Sequence, residues 1–309
     1  MERPNPRLYE GYCDETPVHR LRERFGTTNV YGRNSRSILS PASGYIKAYD
    51  FTLNPYRGCQ YGCSYCYAAA FSPNTRMRRD WGNWVIVKEN AAELLRKELE
   101  RWNKRHPERP PRIYMSTVTD PYQAIETREK LTQRLLEVMI EYCPVLVIQT
   151  RSPMVTRDIP LFQRLKKLRV NMSVPTGSET VRRDFEPQSP SLKARLHAIH
   201  KIAGAIDPDK GYVPKLSVTI TPTLPTKPED IDWFVERLRG IDRVVLQRFH
   251  DASARSLVAA TREEAIALKE KYRWWYADEG TQYENFKAIL KQRLPETEVL
   301  ENQEGFGYD

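Results

Sequence analysis

The chain has 309 residues, 49 Lys and Arg against 40 Asp and Glu, a formal net charge of +9 and 40% apolar positions. A mean hydropathy of −0.66 and the lack of any apolar run approaching about 18 residues argue against a membrane span. The start, MERPNPRLYEGYCDETPVH, carries acids and prolines where a secretory signal needs an apolar core, so no export is expected. The excess of cations suits a polyanionic partner or a solvated surface, and charge alone does not choose between them.

Residues 1–45, rich in Pro, Arg, Asn and Ser, read as an irregular N-terminal arm with a short helix at Val18–Arg24. From residue 46 to about 250, β-prone runs alternate with amphipathic stretches. The predicted strands are Tyr49–Leu53, Arg112–Met115, Val145–Gln149, Val170–Val174, Lys215–Ile220 and Val244–Gln247. The predicted helices lie near 90–104, 124–142, 158–168, 190–204, 228–239 and 261–273. In the first of these, Ala91, Leu94, Leu95, Leu99 and Trp102 recur at three and four, which makes one apolar stripe on a charged rod. Strand–helix alternation implies parallel pairing with right-handed crossovers. Six such units suit an open partial barrel or a doubly wound sheet, and both gather function beyond the C-terminal strand ends. Residues 251–309, with a helix near 283–293, read as a C-terminal helical extension.

Five cysteines occur, at 13, 59, 63, 66 and 143. The spacing is not that of a disulfide framework, so a reducing cytoplasm is the expected compartment. Three of them fall in Leu53-Asn54-Pro55-Tyr56-Arg57-Gly58-Cys59-Gln60-Tyr61-Gly62-Cys63-Ser64-Tyr65-Cys66-Tyr67, directly after the first predicted strand of the barrel. Three thiolates on one tight loop, with Gly58 and Gly62 letting the backbone wrap closely, can hold three irons of a cubane and leave the fourth open. The alternatives are a zinc knuckle or a purely structural cluster. Zinc would want a fourth Cys or His nearby, and His19 and His106 each lie about forty residues away. Cys143 falls at the opposite end of a βα unit from this loop.

The C-x3-C-x2-C loop after the first barrel strand resembles the radical S-adenosylmethionine superfamily. TLNPYRGCQYGCSYCYA, STVTDPYQAIE, IQTRSPMVTRDIPLFQRL, NMSVPT and RRDFEPQSPSLKARL are similar to the branch of spore photoproduct lyase and DNA repair photolyase-like proteins, over about residues 30–250. The resemblance implies a (β/α)6 partial TIM barrel and a [4Fe-4S] cluster on Cys59, Cys63 and Cys66. It also implies S-adenosyl-L-methionine bound at the open iron, a 5′-deoxyadenosyl radical, and a reducing partner such as flavodoxin or ferredoxin. It places Tyr65 beside the adenine and Thr119, Arg151 and Ser173 among the cofactor contacts, Arg151 clamping the carboxylate. Tyr65 and Tyr67 become candidate hydrogen-atom relays. One departure matters: where the lyase has a hydrogen-donor cysteine, this chain has Thr117.

Radical chemistry on a nucleic acid or nucleotide is the expected function, of the lyase and DNA repair type that the resemblance implies, with Thr117 speaking against spore photoproduct repair itself. The same chemistry on a peptide or protein is one alternative, and a non-catalytic iron–sulfur or electron-transfer protein another. Several outlying features have two readings. Arg76, Arg78 and Arg79 with Trp81 and Trp84 either grip a nucleic-acid strand or pack on the barrel. Arg182 and Arg183 face phosphate or solvent. Glu186 opens a turn or reaches the ribose. His250 could donate a proton at the mouth of the site, and Trp274-Trp275-Tyr276 anchor the tail.

Overall fold

A computed structural model describes residues 18–209, 211–249 and 263–309. Its strands are β1 His19–Phe25, β2 Thr28–Arg33, β3 Leu39–Pro41, β4 Phe51–Leu53, β5 Tyr56–Arg57, β6 Trp84–Lys88, β7 Arg112–Met115, β8 Val145–Thr150, β9 Lys167–Ser173, β10 Lys215–Ile220, β11 Arg243–Leu246 and β12 Glu298–Glu301. The larger sheet runs in the order β12-β11-β10-β9-β8-β7-β4-β3. Every pair from β4 to β12 is parallel, and β3 caps the β4 edge antiparallel. The six predicted barrel strands are thus β4, β7, β8, β9, β10 and β11. This is the expected partial barrel of the α/β class.

The two faces of this sheet explain its composition. Ile113, Met115, Leu146, Ile148, Leu168, Val170, Met172, Leu216, Val218 and Ile220 point to the helices and join one large core. The helix Ala91–Arg105 adds Leu95 and Leu99, both fully buried, each contributing about 1.5–3 kcal/mol. Alternate residues line the barrel interior, where several polar groups are linked by hydrogen bonds. The Tyr114 hydroxyl donates to Gln149 Oε1 at 2.9 Å, the Gln149 amide donates to Thr219 at 2.7 Å, and Asn171 donates to the Tyr114 oxygen at 3.2 Å.

Two local expectations are corrected. Val18–Arg24, read as a short helix, instead forms β1, which pairs antiparallel with β2 in a second sheet of order β1-β2-β6-β5. Its register shifts between Arg20 and Arg22 and again before Phe25. These irregularities break the period-two pattern and leave an apolar spacing that imitates a helix. The tail is not only helical: after the helix Glu279–Arg293, β12 adds a parallel strand beside β11. Below the barrel, Arg169 Nε donates to the Tyr308 carbonyl at 2.8 Å and Arg243 Nη1 to that of Gly307 at 2.9 Å. No helix among the described residues is long and apolar enough to cross a membrane.

In the second sheet Lys88 lies directly across from Arg33. Burial, then the charges of Arg33 and Arg57, lower the Lys88 pKa to about 8, against a weaker opposing pull from Glu98.

Candidate active site

The cysteine loop leaves β4 at the C-terminal edge of the barrel and is held on both flanks. Gly58 has φ +82°, and a Cβ there would lie 2.6 Å from the Trp84 carbonyl oxygen; Gly62 has φ +56°. Only glycine meets both demands at position 58. The Thr119 hydroxyl donates to the Gly58 carbonyl at 2.6 Å, and Gln123 accepts from the Gln60 amide at 2.9 Å. The Gln60 side chain in turn accepts from Ile125 N at 2.6 Å. On the other flank, Ser64 N donates to the Phe185 carbonyl at 2.9 Å.

Cys59 and Cys63 are buried and Cys66 is half-buried. Burial raises the Cys59 thiol well above its ordinary range, with Asp120 and the two neighbouring sulfurs adding to the rise. Burial pushes Cys63 up to about 12 against the opposing charge of Arg151. Cys59 and Cys63 are therefore held as protonated thiols that a metal cluster would deprotonate on binding, with Cys66 as the third soft donor of the loop. Among the described residues no three His, Cys, Asp or Glu side chains converge on one metal ion. The donor set fits a cluster that spreads three sulfurs over separate corners, and among the described residues no fourth ligand of a structural zinc site joins it.

Arg151 follows β8 and reaches across to this loop. Its Nη1 lies 2.8 Å from Cys63 Sγ and 3.1 Å from the Tyr65 hydroxyl, and the same nitrogen pairs with Glu186. Burial would lower the guanidinium pKa, but Cys63, Glu186 and Tyr65 together hold it above its ordinary value. Glu186 is fully buried and accepts from the Tyr65 hydroxyl as well. Its second oxygen takes Arg195 Nη2 at 2.5 Å, and Arg195 Nη1 donates to the Ser173 carbonyl at 3.0 Å. Burial pushes the Glu186 carboxyl up, but Arg151 and Arg195 outweigh it and hold it below its usual range. The ends of β8 and β9 are thereby tied to the residue between the second and third cysteines.

Asp120, after β7, accepts from the Thr150 hydroxyl at 2.7 Å, Arg151 N at 2.8 Å and Tyr122 N at 2.9 Å. Burial raises its pKa, and the three donors pull the other way. Asn54 Oδ1 accepts from Thr117 N at 3.0 Å and Val118 N at 3.1 Å, and the Tyr67 hydroxyl donates to the Thr117 carbonyl at 2.5 Å.

The eight singled-out residues therefore lie on one edge: Cys59, Cys63, Cys66, Tyr65 and Tyr67 on the loop, and Thr119, Arg151 and Ser173 after or at the ends of β7, β8 and β9. Thr119 faces the loop backbone, and Ser173 is buried. Other features separate from them. Trp81 and Trp84 are buried, ring centroids 5.7 Å apart, with Trp84 Nε1 on the Met77 carbonyl at 2.8 Å, so neither presents a face to a strand. Arg182 is buried and donates to the Glu186 and Ser189 carbonyls, both at 2.8 Å, which removes it from phosphate binding. Glu186 serves neither as a simple turn residue nor as an open carboxylate. Cys143 caps the helix Leu131–Tyr142 near the N-terminal end of β8, away from the loop. Cys13 and His250 lie outside the described residues. Asn54, Gln60, Gln123 and Arg195 escaped sequence reading, because their partners are distant in the chain and each residue type is ordinary on its own.

Comparison with known proteins completes the assignment. An uncharacterised protein of Methanocaldococcus jannaschii is 36% identical over 154 residues, 50% of this chain and 55% of that one. An uncharacterised protein of Mycobacterium bovis is 32% identical over 168 residues, 51% of this chain and 46% of that one. The chain spans about half the length of these curated relatives. Spore photoproduct lyase complexed with dinucleoside spore photoproduct superposes with a TM-score of 0.59 at 16% identity, over 87% of this chain and 81% of that one. A double mutant of the lyase with bound AdoMet and the dinucleoside gives 0.58 at 18% identity, over 87% and 80%. The Radical SAM superfamily profile matches residues 53–238, and with the cysteine loop at the mouth of a partial barrel this chain belongs to that superfamily.

Proposed function

We propose that this chain is a radical enzyme that cleaves S-adenosyl-L-methionine and acts on a nucleic acid or nucleotide, with Cys59, Cys63 and Cys66 holding a [4Fe-4S] cluster. When bound, the cluster supplies the one electron that splits the sulfonium into methionine and a 5′-deoxyadenosyl radical. The observation that carries the reading is the position of Arg151, a cation held against Cys63 Sγ by the buried Glu186.

The chain's own groups have distinct tasks. Arg151 offers a planar fork for the methionine carboxylate, which a lysine could not match in geometry. Glu186 and Arg195 keep that fork and the Tyr65 ring oriented. Ser173 lines the same edge, and Thr119 fixes the loop backbone. Asp120 holds the end of β8 in register with the loop after β7. Tyr67, 36% exposed, carries its hydroxyl on the carbonyl of Thr117, the position where the related lyase has its cysteine. A threonine hydroxyl is a poor hydrogen-atom donor, so Tyr67 takes the relay role, with Tyr65 behind it. The likeness to a lyase seen with a dinucleoside supports a nucleotide substrate. An external one-electron donor such as flavodoxin or ferredoxin completes the cycle, and the need for reduced iron suits the cytoplasm.

The test is anaerobic reconstitution with iron and sulfide, followed by dithionite and S-adenosylmethionine in the presence of deuterated nucleic acid or deuterated peptide. Release of 5′-deoxyadenosine with deuterium from the nucleic acid supports the reading. Deuterium from the peptide would move the chain to protein modification. A cluster with no cleavage and no spectral response to the cofactor would make it an electron-transfer protein.

A further inference from the structure

Outside the cysteine edge, the described surface carries a shallow cavity of about 380 Å³ lined by Thr180, Arg183, Asp184, Lys227, Lys271, Tyr272 and Trp274. Its parts come from three segments at the mouth of the barrel: the helix Glu179–Phe185 after β9, the loop after β10, and the helices following β11. It is joined to the cysteine loop by a chain of tilted ring contacts. Tyr65 lies 6.5 Å from Phe185, and Phe185 lies 5.7 Å from Tyr272, centroid to centroid.

The charge in this cavity is unbalanced. Its one carboxylate, Asp184, is occupied by Lys271 Nζ at 2.6 Å and the Tyr272 hydroxyl at 2.5 Å. The neighbouring Glu179 holds Arg182 at 2.8 Å and Leu192 N at 3.0 Å, and reaches Arg183 only at 3.7 Å. Arg183 keeps 70% of its side chain exposed, and Lys227, half-buried and with its charge also acting on Asp184, lines the same cavity, so cations outnumber carboxylates there. Beside them stands Trp274, 45% exposed, while its neighbour Trp275 is buried and does the anchoring expected of the pair. Trp275 meets Trp274 edge-on, with ring planes at 84°. Trp274 thus keeps part of its indole open in the same cavity lining as Arg183 and Lys227, in a chain that buries Trp81, Trp84 and Trp275.

We propose that Arg183, Lys227 and Trp274 form a landing site for a single-stranded nucleic acid, in which the cations take backbone phosphates and the indole stacks an unpaired base next to the nucleotide offered to the cysteine edge. The site rests on the nucleic-acid reading above and extends it. A single strand is required because a base inside a duplex has no free face for the ring. A polyanion without bases would use the cations but leave the indole idle.

The experiment measures anisotropy of a short labelled single-stranded oligodeoxynucleotide across a salt series, with wild type, Arg183→Ala/Lys227→Ala, Arg183→Lys/Lys227→Arg and Trp274→Ala. Thermal melts by circular dichroism accompany each variant. The double alanine variant should lower the slope of log affinity against log salt by about 1.4, some 0.7 for each phosphate no longer neutralised, and the charge-keeping variant should restore it. Trp274→Ala should weaken binding at least about fivefold with the slope unchanged, since stacking releases no counterions. If wild type binds the strand and the alanine variants match it in affinity and slope, the landing site is wrong and the broader reading survives. If wild type binds no strand, or binds poly-glutamate in preference, the landing site is likewise wrong, and the deuterium transfer experiment decides the broader reading separately.

Discussion

Arg151 Nη1 lies 2.8 Å from the sulfur of Cys63, so a guanidinium from the end of one barrel strand rests on the loop that follows another. The group proposed to hold the cofactor carboxylate thus touches a proposed cluster ligand, and the two roles can be separated by mutation. Cys63→Ala is expected to abolish iron incorporation, whereas Arg151→Ala should keep about four irons per chain and lose S-adenosylmethionine affinity by about 1.5–3 kcal/mol, the worth of a charged hydrogen bond. Iron analysis and calorimetric titration check the pair. Unchanged affinity in the arginine variant would remove the carboxylate clamp.

Glu186 has no access to water and faces two guanidinium groups. Glu186→Ala strands the fully buried Arg195 with only carbonyl partners and is expected to cost about 3–5 kcal/mol in urea denaturation. Glu186→Gln keeps the shape and an acceptor and should cost less.

At Gly58 the backbone conformation and the approach of Trp84 act together. Gly58→Ala combines left-handed strain with overpacking, about 2–4 kcal/mol in all. Iron loading should drop although every cysteine is retained, and Gly44→Ala, also left-handed but with open space around its Cβ, should load normally.

Lys88 supplies a prediction in pH. Its folded pKa, about 8, lies below the usual lysine value near 10.4. Between these two values the unfolded chain binds more protons than the folded one, so this residue makes stability rise with pH across that window. Below pH 8 it is charged in both states and its penalty is largest. Lys88→Met should therefore raise the thermal midpoint at pH 7, and the advantage should shrink toward pH 10.5. A constant difference across that range would show that burial of the charge is not the cause.

The strands of the barrel were legible because parallel strands with both faces covered read as short apolar runs between amphipathic helices. The cysteine triple was legible because its chemistry is local, within eight residues. What stayed hidden was long-range. The EVLE segment of β12 has two apolar residues and becomes a strand only through its register with β11. The helix expected over 124–142 breaks at Lys130, whose φ of 49° the sequence did not mark with a glycine. The partnership of Glu186 with Arg151 spans 35 positions, and neither residue announces the other.

Asp120 carries the last consequence. One carboxylate grips the backbone of Arg151 and the hydroxyl of Thr150, and sits one residue from Thr119. Substitutions at 119 and 151 are therefore not independent perturbations. A thermodynamic cycle over Thr119→Val and Arg151→Ala should return a coupling energy of about 0.5–3 kcal/mol in cofactor binding, and Asp120→Asn should erase it.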